Sequence, residues 1–195
     1  MNYKWIPNLL TLSRIILVPI FIYFLFSEFN HGKLIALGVF IIAAITDAYD
    51  GKIARKHNIV TKFGIFFDPL ADKFLILSAF YAFMFFPILS NTVKLWMIIM
   101  ISFRDILVTI LRTILQYKGI TMITSKLGKV KTMLQFATIN LILIFLILQS
   151  YNIIMPINYE TLYFFMFITT IITFYTGIHY FYYNYKILGN LLLKK

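Results

Sequence analysis

The sequence predicts an all-α integral membrane protein, in which residues 1–195 form one domain, a bundle of six transmembrane helices with a short N-terminal interfacial segment. Three observations lead to this fold class. The chain is 61% hydrophobic and only 13% charged, with a mean hydropathy of +0.87, whereas soluble domains are about 25% charged. Apolar stretches long enough to cross a bilayer recur along the chain. Basic residues gather in alternate connections between these stretches.

The apolar stretches place the six helices near residues 8–27, 34–55, 69–90, 93–117, 128–149 and 159–188. Pro7 precedes the first stretch and is suited to the first turn of a helix, where its missing N–H is not needed. It therefore favours a short interfacial entry. The connections near 28–33, 89–94 and 150–158 are short and contain Asn, Gly or Pro, so we expect neighbouring helices to be antiparallel and closely packed.

The segment from Gly51 to Asp68 is the most polar interior part of the chain, and we expect it to be a cytoplasmic connection. Asp68 and Pro69 have the pattern of an N-cap followed by proline at the first helical position. Helix 3 is therefore expected to begin there, with Asp72 one turn into it.

The distribution of basic residues predicts the orientation of the chain, whose net charge is +11. If the N-terminus is inside, the outside loops carry only Lys33 and Lys94. The inside segments then carry thirteen basic residues: Lys4, Lys52, Arg55, Lys56, Lys62, Lys73, Lys118, Lys126, Lys129, Lys131, Lys186, Lys194 and Lys195. The positive-inside rule explains this charge better than binding of nucleic acid does. We expect a cytoplasmic N-terminus and a bacterial inner membrane.

Four of the seven acidic residues lie within 26 positions, as Asp47, Asp50, Asp68 and Asp72. The spacings i,i+3 and i,i+4 place each pair on one face of a helix, the first pair in the last turns of helix 2. Four carboxylates at one depth repel each other unless protons, cations or metal ions compensate them. Oxygen ligands select Mg²⁺ or Mn²⁺, and two such ions can assist a phosphoryl displacement. Phosphoryl or phosphatidyl transfer is therefore the predicted reaction class.

Small and basic residues accompany the acids. Gly51 and Ala54 leave room beside the predicted metal site for a ligand or another helix. Gly64 is expected to let the chain turn back, and Arg55 to neutralise a substrate phosphate. A nucleotide diphosphate is a ligand that fits such a groove.

Read together, these residues form one pattern, Asp47-x2-Asp50-Gly51-x2-Ala54-Arg55-x8-Gly64-x3-Asp68-x3-Asp72. The pattern resembles the complete signature of the CDP-alcohol phosphatidyltransferase family, with all eight positions present. The resemblance implies a six-helix membrane enzyme, usually a homodimer, that transfers a phosphatidyl or related group from a CDP-linked donor to an alcohol and releases CMP.

The resemblance also implies a role for each residue of the pattern. The four aspartates would ligate two divalent metal ions, Mg²⁺ or Mn²⁺, and Asp72 would also act as the catalytic base. The expected contacts of the CDP moiety are Gly51, Ala54, Arg55 and Gly64.

The sequences Ile6-Pro7-Asn8-Leu9-Leu10-Thr11-Leu12-Ser13-Arg14 and Asp68-Pro69-Leu70-Ala71-Asp72-Lys73 resemble the phosphatidylglycerophosphate synthase branch of that family. The acceptor in that branch is glycerol 3-phosphate, an anion that needs a cationic pocket. We expect the pocket to contain Arg104, Arg112, Lys129 and Lys131, because arginine within an apolar helix is costly unless it is paired or faces a polar cavity. Asp105 is expected to pair with one of the arginines, and it replaces the glutamate expected in many members of the branch.

The predicted activity is transfer of the phosphatidyl group from CDP-diacylglycerol to glycerol 3-phosphate, giving phosphatidylglycerophosphate and CMP. One alternative is a sibling transferase that uses inositol phosphate or another alcohol. A membrane cation transporter is the other, and it is disfavoured because the four acids mark one end of the helices only. The aromatic-rich end of helix 6 is expected to pack either in the bilayer or at a dimer contact.

Overall fold

The computed structural model describes residues 6–56, 62–117, 126–153 and 157–193, and it describes side chains for residues 13, 15–46, 73–117, 127–153 and 157–185. This part of the chain has no strand. It contains six α-helices, which confirms the predicted all-α class and the number of helices. They are α1 (Ile6–Phe26), α2 (Gly32–Lys56), α3 (Lys62–Phe83), α4 (Leu95–Tyr117), α5 (Lys126–Ser150) and α6 (Tyr159–Leu193). The predicted interfacial entry before residue 6 lies outside the described residues.

The predicted bounds of helix 3 are wrong by about one and a half to two turns at each end. α3 begins at Lys62 and ends at Phe83, so most of the predicted connection is helical and Asp68 is not an N-cap. Pro69 lacks only one helical N–H, and the helix continues through it. Phe86 is extended, at φ −89° and ψ 113°, as a residue before proline prefers, and Pro87–Leu89 form a short 3-10 turn. The apolar run continues through this turn, which is why hydropathy overestimated the end of the helix.

Two other helix ends have clear local causes. After α5, Asn152 adopts a left-handed conformation with φ 54°. Its N–H donates to the Gln149 carbonyl at 3.1 Å, and the Ile153 N–H donates to the Leu148 carbonyl at 3.1 Å, which together form a Schellman motif. At the first residue of α2, a Cβ at position 32 would lie 2.8 Å from the backbone carbonyl oxygen of Phe24 and would also overlap the Ser27 hydroxyl. The backbone carbonyl cannot move aside as the hydroxyl can, so this helix start favours glycine.

The helices form one bundle in which α5 contacts three others. α1 packs against α2 and α3, α4 packs against α3 and α6, and α5 packs against α2, α3 and α6. Phe40 of α2 joins two of these contacts, because its ring lies 5.8 Å from the ring of Phe21 on α1 and stacks 5.3 Å from Phe136 on α5. The core is therefore continuous from α1 to α5.

The outer surface of the described bundle is apolar. On α4, for example, the exposed side chains include Trp96, Ile99, Phe103 and Ile110. Contiguous apolar surface of this kind marks a membrane or protein interface. Two stretches, Leu127–Ser150 and Tyr159–Tyr185, are long and apolar enough to cross a membrane. Three shorter apolar stretches occur in α1, α2 and α3 at Ile15–Phe26, Gly32–Thr46 and Lys73–Phe83. These features are those of a membrane protein.

Replacing Phe40 by alanine should destabilise the bundle, because Phe40 is fully buried between α1 and α5. Loss of a buried phenylalanine costs about 3–5 kcal/mol. We expect a clearly lower melting temperature for the detergent-solubilised variant. Phe164→Ala is the matched control, because the Phe164 side chain is 59% exposed, and it should melt within about 2 °C of the wild type. Equal melting temperatures for the two variants would contradict the central position of Phe40.

Candidate functional site

The two acidic pairs lie on two consecutive helices, and the first pair lies in the last turns of its helix, as predicted. Asp47 and Asp50 are in the last turns of α2, and Asp68 and Asp72 are inside α3, with Asp72 in its third turn instead of the predicted first. Asp50 lies six residues before the end of α2 and Asp68 six residues after the start of α3. Each is therefore about 9 Å along its helix from the intervening segment. The side chains of residues 47–72 lie outside the described part of the structure.

The residues predicted to contact CDP are also divided between α2 and α3. Gly51, Ala54 and Arg55 continue α2 beyond Asp50, and Gly64 lies in the first turn of α3. Gly64 is thus a helical residue and not part of a turn in the predicted connection. α2 and α3 both pack against α1 and α5, so the two halves of the motif share the same neighbouring helices.

A buried ionic group lies next to the acidic helices and centres on Asp105 of α4. The Asp105 side chain is fully buried and accepts three hydrogen bonds. Its Oδ1 accepts from Lys131 Nζ at 2.5 Å and from Arg104 Nη1 at 3.2 Å, and its Oδ2 accepts from Gln135 Nε2 at 3.1 Å. The Lys131 side chain is only 2% exposed. We refer to Arg104, Asp105, Lys131 and Gln135 as the Asp105 group.

The Asp105 group is linked to α6 as well as to α4 and α5. Gln135 Nε2 lies 3.4 Å from the Thr173 hydroxyl, and one turn further along α5 the hydroxyls of Thr138 and Thr169 are 2.7 Å apart. All four side chains are buried. Hydrogen bonds between buried polar groups therefore fix α5 against α6 at two successive levels.

The Asp105 group also lies near the acidic helix α3 through Lys73. This lysine is close enough to attract Asp105 and to repel Lys131 electrostatically. It follows Asp72 directly in the chain. The ionic group of α4 and α5 and the acidic motif of α2 and α3 therefore belong to one region of the bundle.

The charges of the Asp105 group itself do not balance. Arg104 and Lys131 are both cations, and both pair with the single carboxylate of Asp105. Arg104 Nε and Gln135 Oε1 are buried polar atoms that lack a hydrogen-bond partner among the described residues. A group with two cations, one acid and a buried donor without a described partner is suited to binding an anion.

The four predicted acceptor residues divide into two pairs. Arg104 and Lys131 are brought together on Asp105, which confirms the expected pairing of Asp105 with an arginine. Arg112 and Lys129 are exposed, although Arg112 and Arg104 are both near enough to act electrostatically on Tyr180 of α6. The two arginines are thus close to the same residue of α6.

Sequence reasoning missed several residues of this region. Gln135 follows Lys131 by four positions, a spacing that places both on one face of α5 and could have identified it. Thr173 and Gly177 of α6 gave no comparable signal. A Cβ at Gly177 would lie 2.8 Å from Arg104 Cγ, so the absence of a side chain there makes room for the arginine.

Comparison with known proteins agrees with the motif. A family model described as CDP-alcohol phosphatidyltransferase matches residues 4–178. The chain belongs to this family. It is therefore a CDP-alcohol phosphatidyltransferase, as the eight-position pattern of acids, small residues and arginine predicted.

Several curated members of the family are similar to this chain. A CDP-diacylglycerol–glycerol-3-phosphate 3-phosphatidyltransferase of Bacillus subtilis is 38% identical over 152 residues, covering 71% of this chain and 76% of the relative. A protein of the same name from Rickettsia felis is 35% identical over 141 residues, covering 72% and 76%. A probable phosphatidylglycerophosphate synthase of Mycobacterium tuberculosis is 36% identical over 139 residues, covering 70% of this chain and 64% of that protein.

Replacing Gly177 by alanine should displace the Arg104 side chain, because the added methyl group would contact Arg104 Cγ at 2.8 Å. Cγ is close to the backbone and moves only if the whole side chain changes rotamer. Alanine is favoured over glycine in a helix by about 1 kcal/mol, so a fall in melting temperature would report the clash.

Gly38→Ala is the matched control, since a Cβ at this position of α2 meets nothing within 4 Å. It should match or exceed the stability of the wild type. In an Arg104→Ala background, Gly177→Ala should cease to destabilise. A Gly177→Ala variant as stable as Gly38→Ala would show that Arg104 does not need this space.

Proposed function

We propose that this enzyme transfers the phosphatidyl group of CDP-diacylglycerol to glycerol 3-phosphate, giving phosphatidylglycerophosphate and CMP. The observation that carries the proposal is its 38% identity to the Bacillus subtilis enzyme named for this reaction, over 76% of that relative. The excess cations around Asp105 support it, because glycerol 3-phosphate is an anionic acceptor and a neutral alcohol would not need them.

The acceptor phosphate is proposed to bind beside the Asp105 group. Arg104 has a buried Nε that is unpartnered among the described residues, and its planar guanidinium can bind two phosphate oxygens at once. Lys131 adds a second positive charge from α5. Arg112 and Lys129, which are exposed, are proposed to bind the same phosphate from the outer side.

The four aspartates of α2 and α3 are proposed to hold two divalent cations, Mg²⁺ or Mn²⁺. Their donor set fits these ions, because it consists of carboxylate oxygens and the chain has no cysteine. When bound, such ions neutralise charge on the pyrophosphate and polarise its P–O bonds. The CDP moiety is proposed to contact Gly51, Ala54, Arg55 and Gly64 along the same two helices.

In the proposed reaction, residues of this chain take up the proton and stabilise the leaving group. Asp72 accepts the proton of the primary hydroxyl of glycerol 3-phosphate, and the hydroxyl oxygen attacks the phosphorus that bears diacylglycerol. A new P–O bond forms to the acceptor, and the P–O bond to the CMP phosphate breaks. Arg55 stabilises the charge that develops on CMP as it leaves. Lys73 follows Asp72 in α3 and is close enough to Asp105 and Lys131 to act on both electrostatically.

The membrane arrangement is part of the proposal. We propose that all six helices cross the membrane with the N-terminus and the acidic motif on the cytoplasmic side, in the inner membrane of a bacterium. The excess of basic residues in the predicted inside segments supports this orientation. CDP-diacylglycerol then enters from the lipid and glycerol 3-phosphate from the cytoplasm. A homodimer is proposed from the family resemblance.

Release of CMP by the purified protein in detergent tests the activity. With CDP-diacylglycerol and Mg²⁺ or Mn²⁺, we expect release with glycerol 3-phosphate as acceptor and none after addition of EDTA. Serine, which has no phosphate, should give less than about 1% of that rate, since the achievable discrimination for a missing charged contact is of the order of 10²-fold or more. Inositol phosphate should give a lower rate than glycerol 3-phosphate. A higher rate with inositol phosphate would favour the sibling transferase. No metal-dependent release from folded protein would favour the cation transporter.

Replacing Asp72 by asparagine should reduce turnover at saturating metal and substrates by about 10²–10⁴-fold, the usual contribution of a general base. Asparagine has nearly the shape of aspartate and cannot accept the proton. Glu160→Gln is the matched control, because Glu160 is an exposed acid in the first turn of α6. It should retain wild-type turnover. Unchanged turnover in Asp72→Asn would remove the base assignment.

A further inference from the structure

We propose that Asp105 is a positioning residue for the acceptor anion. It holds Lys131 and Arg104 where they meet the acceptor phosphate, and it does not itself touch the reacting atoms. This inference rests on the proposed function for the identity of the acceptor.

The two carboxylate oxygens of Asp105 have different partners. Oδ1 accepts from both cations, Lys131 and Arg104, and Oδ2 accepts from the neutral amide of Gln135. The amide is also within 3.4 Å of Thr173 on α6. The orientation of the carboxylate is therefore fixed by α5 and α6, with one oxygen turned toward the two cations and the other toward the amide.

The cations keep donors for a second anion. An ammonium group has three N–H donors and a guanidinium five, whereas Asp105 receives one bond from each cation. Arg104 Nε is among the buried atoms with no partner in the described part of the chain. Asp105 thus orders both side chains without using up their capacity to bind phosphate.

The pairing also explains how Lys131 can be charged where it lies. A lysine that is 2% exposed is costly unless an anion compensates it, and Asp105 is at 2.5 Å. Without this carboxylate, Lys131 would lose its proton or move away. Either change removes a cation from the acceptor pocket. The CDP-binding residues proposed on α2 and α3 are not members of the Asp105 group and keep their own charges.

Asp105→Asn tests the proposal through separate Michaelis constants. Removing one member of a buried charge pair is costly, so we expect the KM for glycerol 3-phosphate to rise by about 10–100-fold and the KM for CDP-diacylglycerol to stay within about twofold. In a Lys131→Met background the same substitution should raise the acceptor KM by less than about threefold, because coupled residues are not additive. Equal increases in the two KM values, or full additivity, would overturn the proposal.

The matched control is Thr138→Val, which removes a buried hydrogen bond between α5 and α6 one turn from the Asp105 group. It should leave both KM values within about twofold of the wild type, because the Thr138 hydroxyl bonds Thr169 and not a member of the Asp105 group. If Thr138→Val raised the acceptor KM as much as Asp105→Asn, the role of Asp105 would be that of any packing contact. Should Asp105→Asn fail to fold, Gln135→Met replaces it. That variant retains all the charges and should raise the acceptor KM alone, and a wild-type acceptor KM would overturn the proposal.

An amine-labelling experiment tests whether Asp105 holds Lys131, and it does not depend on enzymatic activity. Folded protein is treated with a water-soluble acylating reagent, and the labelled lysines are identified by peptide mass spectrometry. Lys131 should react at least about tenfold faster in Asp105→Asn than in the wild type, because an unpaired lysine becomes neutral or exposed. The increase should be smaller in Gln135→Met, where the carboxylate keeps its charge and loses only the amide that orients it. Exposed Lys129 is the internal control and should not change.

Equal labelling of Lys131 in wild type and variants would show that Asp105 does not hold it. If the wild type released no CMP with glycerol 3-phosphate, the acceptor role would fall with the proposed function, and the labelling would still decide whether Asp105 positions Lys131.

Discussion

The ion pair between Asp105 and Lys131 is the interaction on which the rest of this region depends. Both side chains are buried, and removal of Asp105 leaves the charge of Lys131 without an acidic partner among the described side chains. α4, α5 and α6 are therefore constrained together, since Gln135 fixes the carboxylate and contacts Thr173. A pair of hydrophobic residues could fill the same space, but it would carry no charge for a substrate to meet.

The acidic motif and the Asp105 group lie on different pairs of helices. The four aspartates of the motif are on α2 and α3, and the two cations that pair with Asp105 are on α4 and α5. Lys73, which follows Asp72 in α3, is close enough to act electrostatically on Asp105. The proposed metal ligands and the proposed acceptor cations are therefore separate sets of residues in neighbouring parts of the bundle.

Most of the helical architecture could be predicted from the sequence, because length, hydropathy and turn residues act locally. The predicted bounds of α2, α4 and α5 were within two residues of those observed. α3 was placed wrongly because Asp68 and Pro69 have the local pattern of a helix start, whereas the helix tolerates Pro69 in its interior. An apolar 3-10 turn at Pro87 cannot be distinguished from helix by hydropathy alone.

Those parts of the site that depend on the spacing of residues along a helix could be predicted from the sequence. The acidic motif and the pairing of Arg104 with Asp105 follow from positions along one helix or two adjacent ones. The burial of Lys131 does not, because a lysine near a helix start is equally expected at the membrane edge. Only its contact with Asp105 of α4 in the folded bundle decides between the two positions. Thr173 and Gly177 depend on how α6 is rotated toward α4, which no local pattern records.

The close approach of Gly177 to Arg104 has an evolutionary consequence. Arg104 bonds the carboxylate of the next residue, Asp105, and its Cγ lies 2.8 Å from the position that a Cβ would take at residue 177 of α6. Substitutions at the two positions are therefore not independent. In related sequences with the same helix packing, a larger residue at position 177 should occur with a shorter one at position 104, so that the pair co-varies although 73 residues separate them in the chain.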